Sequence, residues 1–241
     1  MEGSVVQVTT DIDDLRRALE IRHGPRACRR SFRTGLDSLD EIAPGGAFQN
    51  GAVHELLWTR KFTYPTSIAL LLAKAAQKRG GAIAWNDPAR ELHLPALSAA
   101  GIDLRHLILL RCANRNDQLW AIAECLRCRG VSATVTLIER LSQIEARRLQ
   151  LAAEQGGGVG LFMRPYASGI SNYYAAATRW LIQPAPGNGE SQRWNVQLLH
   201  GHGGQIGKVL LLEVDRETRA LRVSAPLADR SAAPAPARAT A

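Results

Sequence analysis

Apolar residues in this chain fall into short, mostly apolar runs separated by longer stretches of helical period. Ala52–Leu57, Ala82–Trp85, Leu107–Leu110, Thr134–Ile138 and Val159–Met163 are such runs, the pattern of strands covered on both faces. Between them apolar positions recur every three or four residues. Ile68, Leu71, Leu72 and Ala75 predict a helix that begins at Pro65 and ends before Gly80-Gly81. Leu119, Ile122, Ala123 and Leu126 predict a second over Gln118–Arg129, and Leu92–Ala100 reads as a short helix. Ser142-x-x-Glu145 is a capping box that opens a helix over Gln143–Glu154, stopped by Gly156-Gly157-Gly158. Strands alternating with helices at this spacing predict an α/β fold with a mainly parallel sheet of right-handed βαβ units.

Beyond Asn172 the pattern changes. Trp180–Gln183, Trp194–Leu199, Val209–Asp215 and Ala220–Val223 read as strands joined by Gly, Pro and Asn turns, which predicts an antiparallel extension on the C-terminal side. At the other end, Thr10-Asp11-Ile12-Asp13 opens a helix running to Arg22 with an apolar stripe of Ile12, Leu15 and Leu19. Residues 22 to 33 form a linker with five arginines, among them Arg29 and Arg30. From Ser231 the Pro/Ala composition predicts a disordered tail. The chain thus divides into an N-terminal helix and basic linker (1–33), a core (34–225) and a tail (226–241).

At 241 residues one α/β domain with a sizeable core is accommodated. The net charge of +8 suits nucleic acid or an acidic partner. The excess is nearly all arginine, which together with the alanine richness reads as a composition bias. Four cysteines in a chain of this length do not suggest a disulfide scaffold, so a reducing cytoplasm is expected. No basic-then-apolar leader and no apolar run near 18 residues is found, so no membrane association is expected.

Thr34-Gly35-Leu36-Asp37, Leu39-Asp40, Gly45-Gly46, Gly51 and Glu55 resemble the run of a RecA-type ATPase into its first core strand. In that family the strand leads into a loop, G-x-x-x-x-G-K-[ST], whose backbone N–H groups, lysine and hydroxyl hold phosphate and magnesium. On the same register Trp58 stands at the first glycine, Thr63 at the second, Tyr64 at the lysine and Pro65 at the Ser/Thr. Trp58 obstructs the turn, Tyr64 carries no cation, and Pro65 has neither hydroxyl nor N–H. The resemblance implies a RecA-like core with a degenerate nucleotide site: a pseudo-ATPase for which ATP is not expected as a cofactor. Pro88 stands near the family's catalytic glutamate, with Glu91 three residues on. Glu139, at the end of the fourth run, holds the place of a magnesium-binding acid and is expected to be a remnant.

Tyr173-Tyr174-Ala175-Ala176 with Arg179 resembles the RecA segment that follows the second DNA-binding loop, although Arg164–Asn172 is short for that loop. Arg164, Tyr166, Tyr173 and Tyr174 are candidates for a base-stacking platform, with core or turn packing as the other reading. Cys125-x-x-Cys128 reads as the apolar side of a helix rather than a zinc or redox pair. His200-Gly201-His202-Gly203-Gly204 reads as a turn rather than a metal site. Gly207-Lys208 ends like a phosphate loop, but a strand follows and His202 replaces the first glycine.

The whole pattern resembles the ImuA family of RecA-like accessory proteins of bacterial mutagenesis cassettes. The residues are Phe32–Asp37, Gly51–Leu56, Arg147–Glu154, Leu161–Pro165 and Trp194–Leu199 with Gly203-Gly204. The resemblance implies a non-catalytic role in damage-induced, error-prone translesion synthesis. It implies as partners an ImuB-type Y-family polymerase homologue, an error-prone replicative-type polymerase and RecA, and a cytoplasmic, nucleoid-associated location. A SulA-like cell-division inhibitor and an unconventional RecA-type ATPase are the alternatives. In RecA-like proteins an N-terminal helix packs on a neighbouring subunit, so Ile12, Leu15 and Leu19 mark a candidate partner helix. Arg29 and Arg30 are candidate DNA contacts. DNA binding is expected to be weak, independent of sequence and sensitive to salt.

Overall fold

The computed structural model describes residues 7–9, 31–59, 65–78, 80–166, 175–186, 191–215 and 221–226. Twelve strands and five α-helices are found among these residues. The strands are β1 (Gln7–Thr9), β2 (Ser31–Phe32), β3 (Phe48–Gln49), β4 (Ala52–Trp58), β5 (Ala82–Asn86), β6 (Leu107–Leu110), β7 (Val131–Leu137), β8 (Val159–Pro165), β9 (Thr178–Ala185), β10 (Ser191–Gly201), β11 (Val209–Asp215) and β12 (Leu221–Pro226). The helices are α1 (Asp37–Ile42), α2 (Thr66–Gln77), α3 (Leu94–Ala99), α4 (Arg115–Arg127) and α5 (Gln143–Gly156). Ten strands form one sheet in the order β1-β6-β5-β7-β8-β4-β9-β10-β11-β12, and β2 pairs with β3 separately.

The expected architecture is present. β1, β6, β5, β7, β8, β4 and β9 run parallel. β10, β11 and β12 continue the sheet antiparallel. β9 joins the halves, parallel to β4 and antiparallel to β10. All seven residues of β4 are buried, as expected of a central strand covered on both faces, although two of them, His54 and Glu55, are ionisable. On one face, Ile68, Leu72 and Ala73 of α2 meet Leu56, Trp58, Trp85, Val135 and Leu161, in a core that continues to Trp180, Trp194 and Leu212. On the other face, Ile122 and Leu126 of α4 and Leu149 and Ala153 of α5 meet Val53, Ala84, Ile108 and Phe162.

Helix ends follow their local chemistry. Ser142 and Glu145 form the expected capping box, and Gly157, at φ 74°, ends α5 in the left-handed region that glycine enters without penalty. At Gly156 an added Cβ would lie 2.0 Å from the Leu126 carbonyl oxygen, so α4 and α5 approach through a position that admits no side chain. Pro65 is the N-cap of α2. α4 begins at Arg115, three residues before the periodic pattern, because the Asn114 side chain caps the Asp117 amide.

The Thr34–Asp40 signature is a self-contained turn. Buried Asp40 accepts from Thr34 N and Thr34 Oγ1 (both 2.9 Å) and from Gly35 N (3.3 Å). Thr34 Oγ1 in turn accepts from Leu36 N. The glycine-rich turn after β10 docks on the end of α1: Gln205 donates from N to the Ile42 carbonyl and from Nε2 to the Glu41 carbonyl. Three elements escape the sequence pattern. β1 extends the sheet beside β6, and β2 and β3 pair Phe32 with Phe48.

His54 is fully enclosed on the α2 face. Trp180 Nε1–H donates to Thr178 Oγ1 (2.8 Å), which leaves the Thr178 hydroxyl to donate to His54 Nδ1 (2.7 Å). His54 Nε2–H then donates to the Gln49 carbonyl (2.9 Å), so the bonding assigns a neutral Nε2–H tautomer. Desolvation lowers the His54 pKa to about 4, only partly offset by the bond to Gln49. With the folded pKa below the unfolded one, the contribution is complete above pH ~6.5 and lost as pH falls towards 4. This term reaches about 3 kcal/mol at ~1.4 kcal/mol per pKa unit. Urea unfolding between pH 7 and 4 should show that slope, and His54→Gln should flatten it; equal slopes in both proteins would exclude His54 as its source.

Candidate functional site

The parallel strands all end at one edge of the sheet, where open α/β folds place ligands. β4 ends there at Trp58. Its side chain is buried in the α2-side core, and its carbonyl accepts from Tyr166 N at 2.7 Å. Pro65 is also buried and starts α2 without a side-chain cap. Thr63 and Tyr64, between them, lie outside the described residues. Glu139 is exposed, two residues past the end of β7, beyond buried Ile138, whose N–H donates to the Met163 carbonyl.

At the end of β5, Asp87 is buried and committed to its own loop. Its Oδ1 accepts from Glu91 N (2.8 Å) and Leu92 N (3.3 Å), and its Oδ2 meets Arg111 at 3.3 Å. Asn86 donates to Thr136 Oγ1 across to β7. These groups brace the loop that leads to α3.

On the α4–α5 face of the central strands lies a charged cluster that the periodic pattern does not reveal. Glu55 is buried and pairs with Arg164 of β8 through Oε1 and with Arg179 of β9 through Oε2, the latter at 2.7 Å. The register sets Glu55 directly opposite Arg179. Two guanidinium groups share one carboxylate, and Arg164 Nε is buried without a partner. A glutamate inside an apolar run is the sequence signal for such a site. Its partners lie 109 and 124 residues away, beyond the reach of local pattern.

The structure therefore places Arg164 in this cluster and leaves Tyr166, two residues on, 41% exposed. Tyr173 and Tyr174, Arg29 and Arg30, and the Ile12, Leu15 and Leu19 stripe lie outside the described residues. Cys125 and Cys128 are buried in the α4–α5 core. Burial pushes the Cys125 thiol well above its ordinary range, so it packs as an apolar group. Among the described residues no three His, Cys, Asp or Glu side chains converge as a metal site would require, and no helix is long and apolar enough to cross a membrane.

A parallel sheet flanked by helices, extended by antiparallel strands and preceded by the Thr34–Asp40 turn, defines a protein of the RecA-like α/β class. The chain is 30% identical to Protein ImuA of Caulobacter vibrioides over 225 aligned residues, covering 84% of this chain and 92% of that protein. It belongs to the ImuA family. Shorter matches reach Cell division inhibitor SulA of Yersinia pestis, at 24% over 116 residues (48% of this chain, 69% of that protein). SulA of Edwardsiella piscicida matches at 29% over 101 residues (41% and 60%). No protein-family model matches the chain.

Removing one member of a buried ion cluster leaves the others uncompensated. Glu55→Gln preserves shape but removes the carboxylate that both guanidinium groups share. It should destabilise the protein by about 3–5 kcal/mol, measured as a lower denaturation midpoint. Adding Arg164→Met should recover part of the loss; an unchanged midpoint in the single variant would show that the cluster contributes nothing.

Proposed function

We propose that this protein is a non-catalytic accessory factor of damage-induced, error-prone translesion DNA synthesis. It acts as an adaptor that joins RecA or DNA to an ImuB-type polymerase assembly, which includes an error-prone replicative-type polymerase. The observation that carries this reading is the identity to Protein ImuA across most of both chains. The non-catalytic part rests on the sequence between Trp58 and Pro65, which has no glycine, no lysine at the position of Tyr64 and no hydroxyl at that of Pro65. A fold without such a site works through its surfaces. Residues 10–22, for which the sequence predicts a helix, would meet the RecA-like partner. The polymerase-like partner would add to the sheet edge at β12, the last strand of the order. The protein would work in the cytoplasm at the nucleoid, with Arg29, Arg30, Tyr173 and Tyr174 giving at most weak, salt-sensitive DNA contact.

A second reading, inhibition of cell division, is favoured by the SulA matches, which span under half of this chain. The two separate on one experiment. Deleting the gene should bring the damage-induced mutation frequency down to the uninduced level, and the tagged protein should co-purify a polymerase-like protein from damaged cells. Unchanged mutagenesis with loss of damage-induced filamentation would favour the division inhibitor.

Purified protein should bind labelled ATP with magnesium no better than millimolar. Micromolar, magnesium-dependent affinity would favour an unconventional ATPase.

A further inference from the structure

The outer face of α5 carries an unusual combination. Ile144 is 82% exposed and Leu151 is 41% exposed. They lie seven residues apart, two helical turns or roughly 10 Å along one side of the helix. Arg147 and Arg148, both exposed, lie between them. Arg147 approaches Glu154 only at 3.9 Å, and Arg148 has no ion pair or hydrogen bond among the described residues. The carboxylate nearest the start of the helix, Glu145, is already bound by Arg115 and the Ser142 cap. The face therefore offers two apolar side chains with one unpaired arginine, Arg148, and one loosely paired arginine, Arg147, between them.

The helix beneath is held rigidly. Leu149, Ala152 and Ala153 are buried in the core. Gln150 accepts from Val53 N at 2.8 Å, tying α5 to the start of β4. Gly156 locks its end against α4. A platform this fixed loses little entropy when a partner settles on it.

We infer that the Ile144–Arg148–Leu151 face of α5 docks an acidic amphipathic helix of another protein. Charge complementarity selects that occupant. Two arginines between two aliphatic side chains match carboxylates set beside apolar residues at helical spacing. A phosphate backbone would satisfy the arginines and leave Ile144 and Leu151 in water. A lipid surface would find only two apolar anchors, too few to hold an interfacial helix. A second copy about a two-fold axis would bring arginines against arginines.

This inference rests on the helix surface and is independent of the translesion assignment. Its test places a photoreactive benzophenone side chain at position 144 or 151 of the full chain, with exposed position 105 as control, in cells irradiated both with and without DNA damage. Adducts are identified by mass spectrometry. Positions 144 and 151, but not 105, should link to one protein segment that carries at least two carboxylates among apolar residues at helical spacing. A synthetic peptide of that segment should bind the purified protein at least tenfold more weakly after Arg147→Glu with Arg148→Glu, and likewise after Ile144→Ser with Leu151→Ser. Circular dichroism should show both variants folded, and either folded variant suffices for the comparison. No adduct, adducts only to nucleic acid, lipid or a second copy, a linked segment without acidic residues, or unchanged affinity in a folded variant would overturn it.

Discussion

Two ionisable side chains stand next to each other in the middle strand of the sheet, His54 on one face and Glu55 on the other, both buried. Burial of either is costly without partners. One neighbouring strand serves both. β9 brings Thr178 to His54 and Arg179 to Glu55, and the ladder pairs these residues directly. A slip of one residue would turn the arginine into the apolar core and the threonine away from the imidazole. The join between the parallel half and the antiparallel half is thus set by polar pairing, in a region where apolar packing alone would tolerate other registers.

The same face-by-face division organises what surrounds the strand. On the His54 side, β3 is drawn in, since Gln49 supplies the acceptor for Nε2 and Phe48 packs edge-on to the imidazole at 5.4 Å and stacks on Trp180 at 5.3 Å. On the Glu55 side, Arg164 closes the cluster from β8. The family signature belongs to this scaffold too. Its threonine, glycine and aspartate make a turn around Asp40 that needs no ligand to be satisfied. The turn is therefore stable on its own bonds, whatever the segment that follows β4 binds.

How much of this was legible in sequence depended on range. The central strands and the helices α2, α4 and α5 announce themselves, because their apolar positions repeat over several turns or fill a whole strand. β1, β2 and β3 do not, because two or three residues cannot establish a period. β7 starts at Val131, earlier than its apolar run, because Ser132 is buried in the strand with its hydroxyl donating to the Ala82 carbonyl. Glu55 was legible as a member of a signature and illegible as an ion-pair centre, since nothing local predicts partners more than a hundred residues away. Arg164 is the instructive case among the site residues. As a cationic residue beside tyrosines it suggests nucleic acid, yet its guanidinium is drawn inward by a carboxylate that only the folded sheet brings near.

The helix face inferred for α5 and the strand edge proposed at β12 lie apart in the fold. α5 packs over β4 and β8, whereas β12 lies four strands from β4. At about 4.8 Å per strand the two surfaces are roughly 19 Å apart across the sheet. They differ in kind as well as place. A strand edge offers main-chain hydrogen bonds and accepts an extended segment, with selectivity left to alternate side chains. A helix face with two apolar groups and two cations offers no main chain and selects by charge. Partners of such different chemistry would not compete for one surface, so occupancy of one would leave the other open.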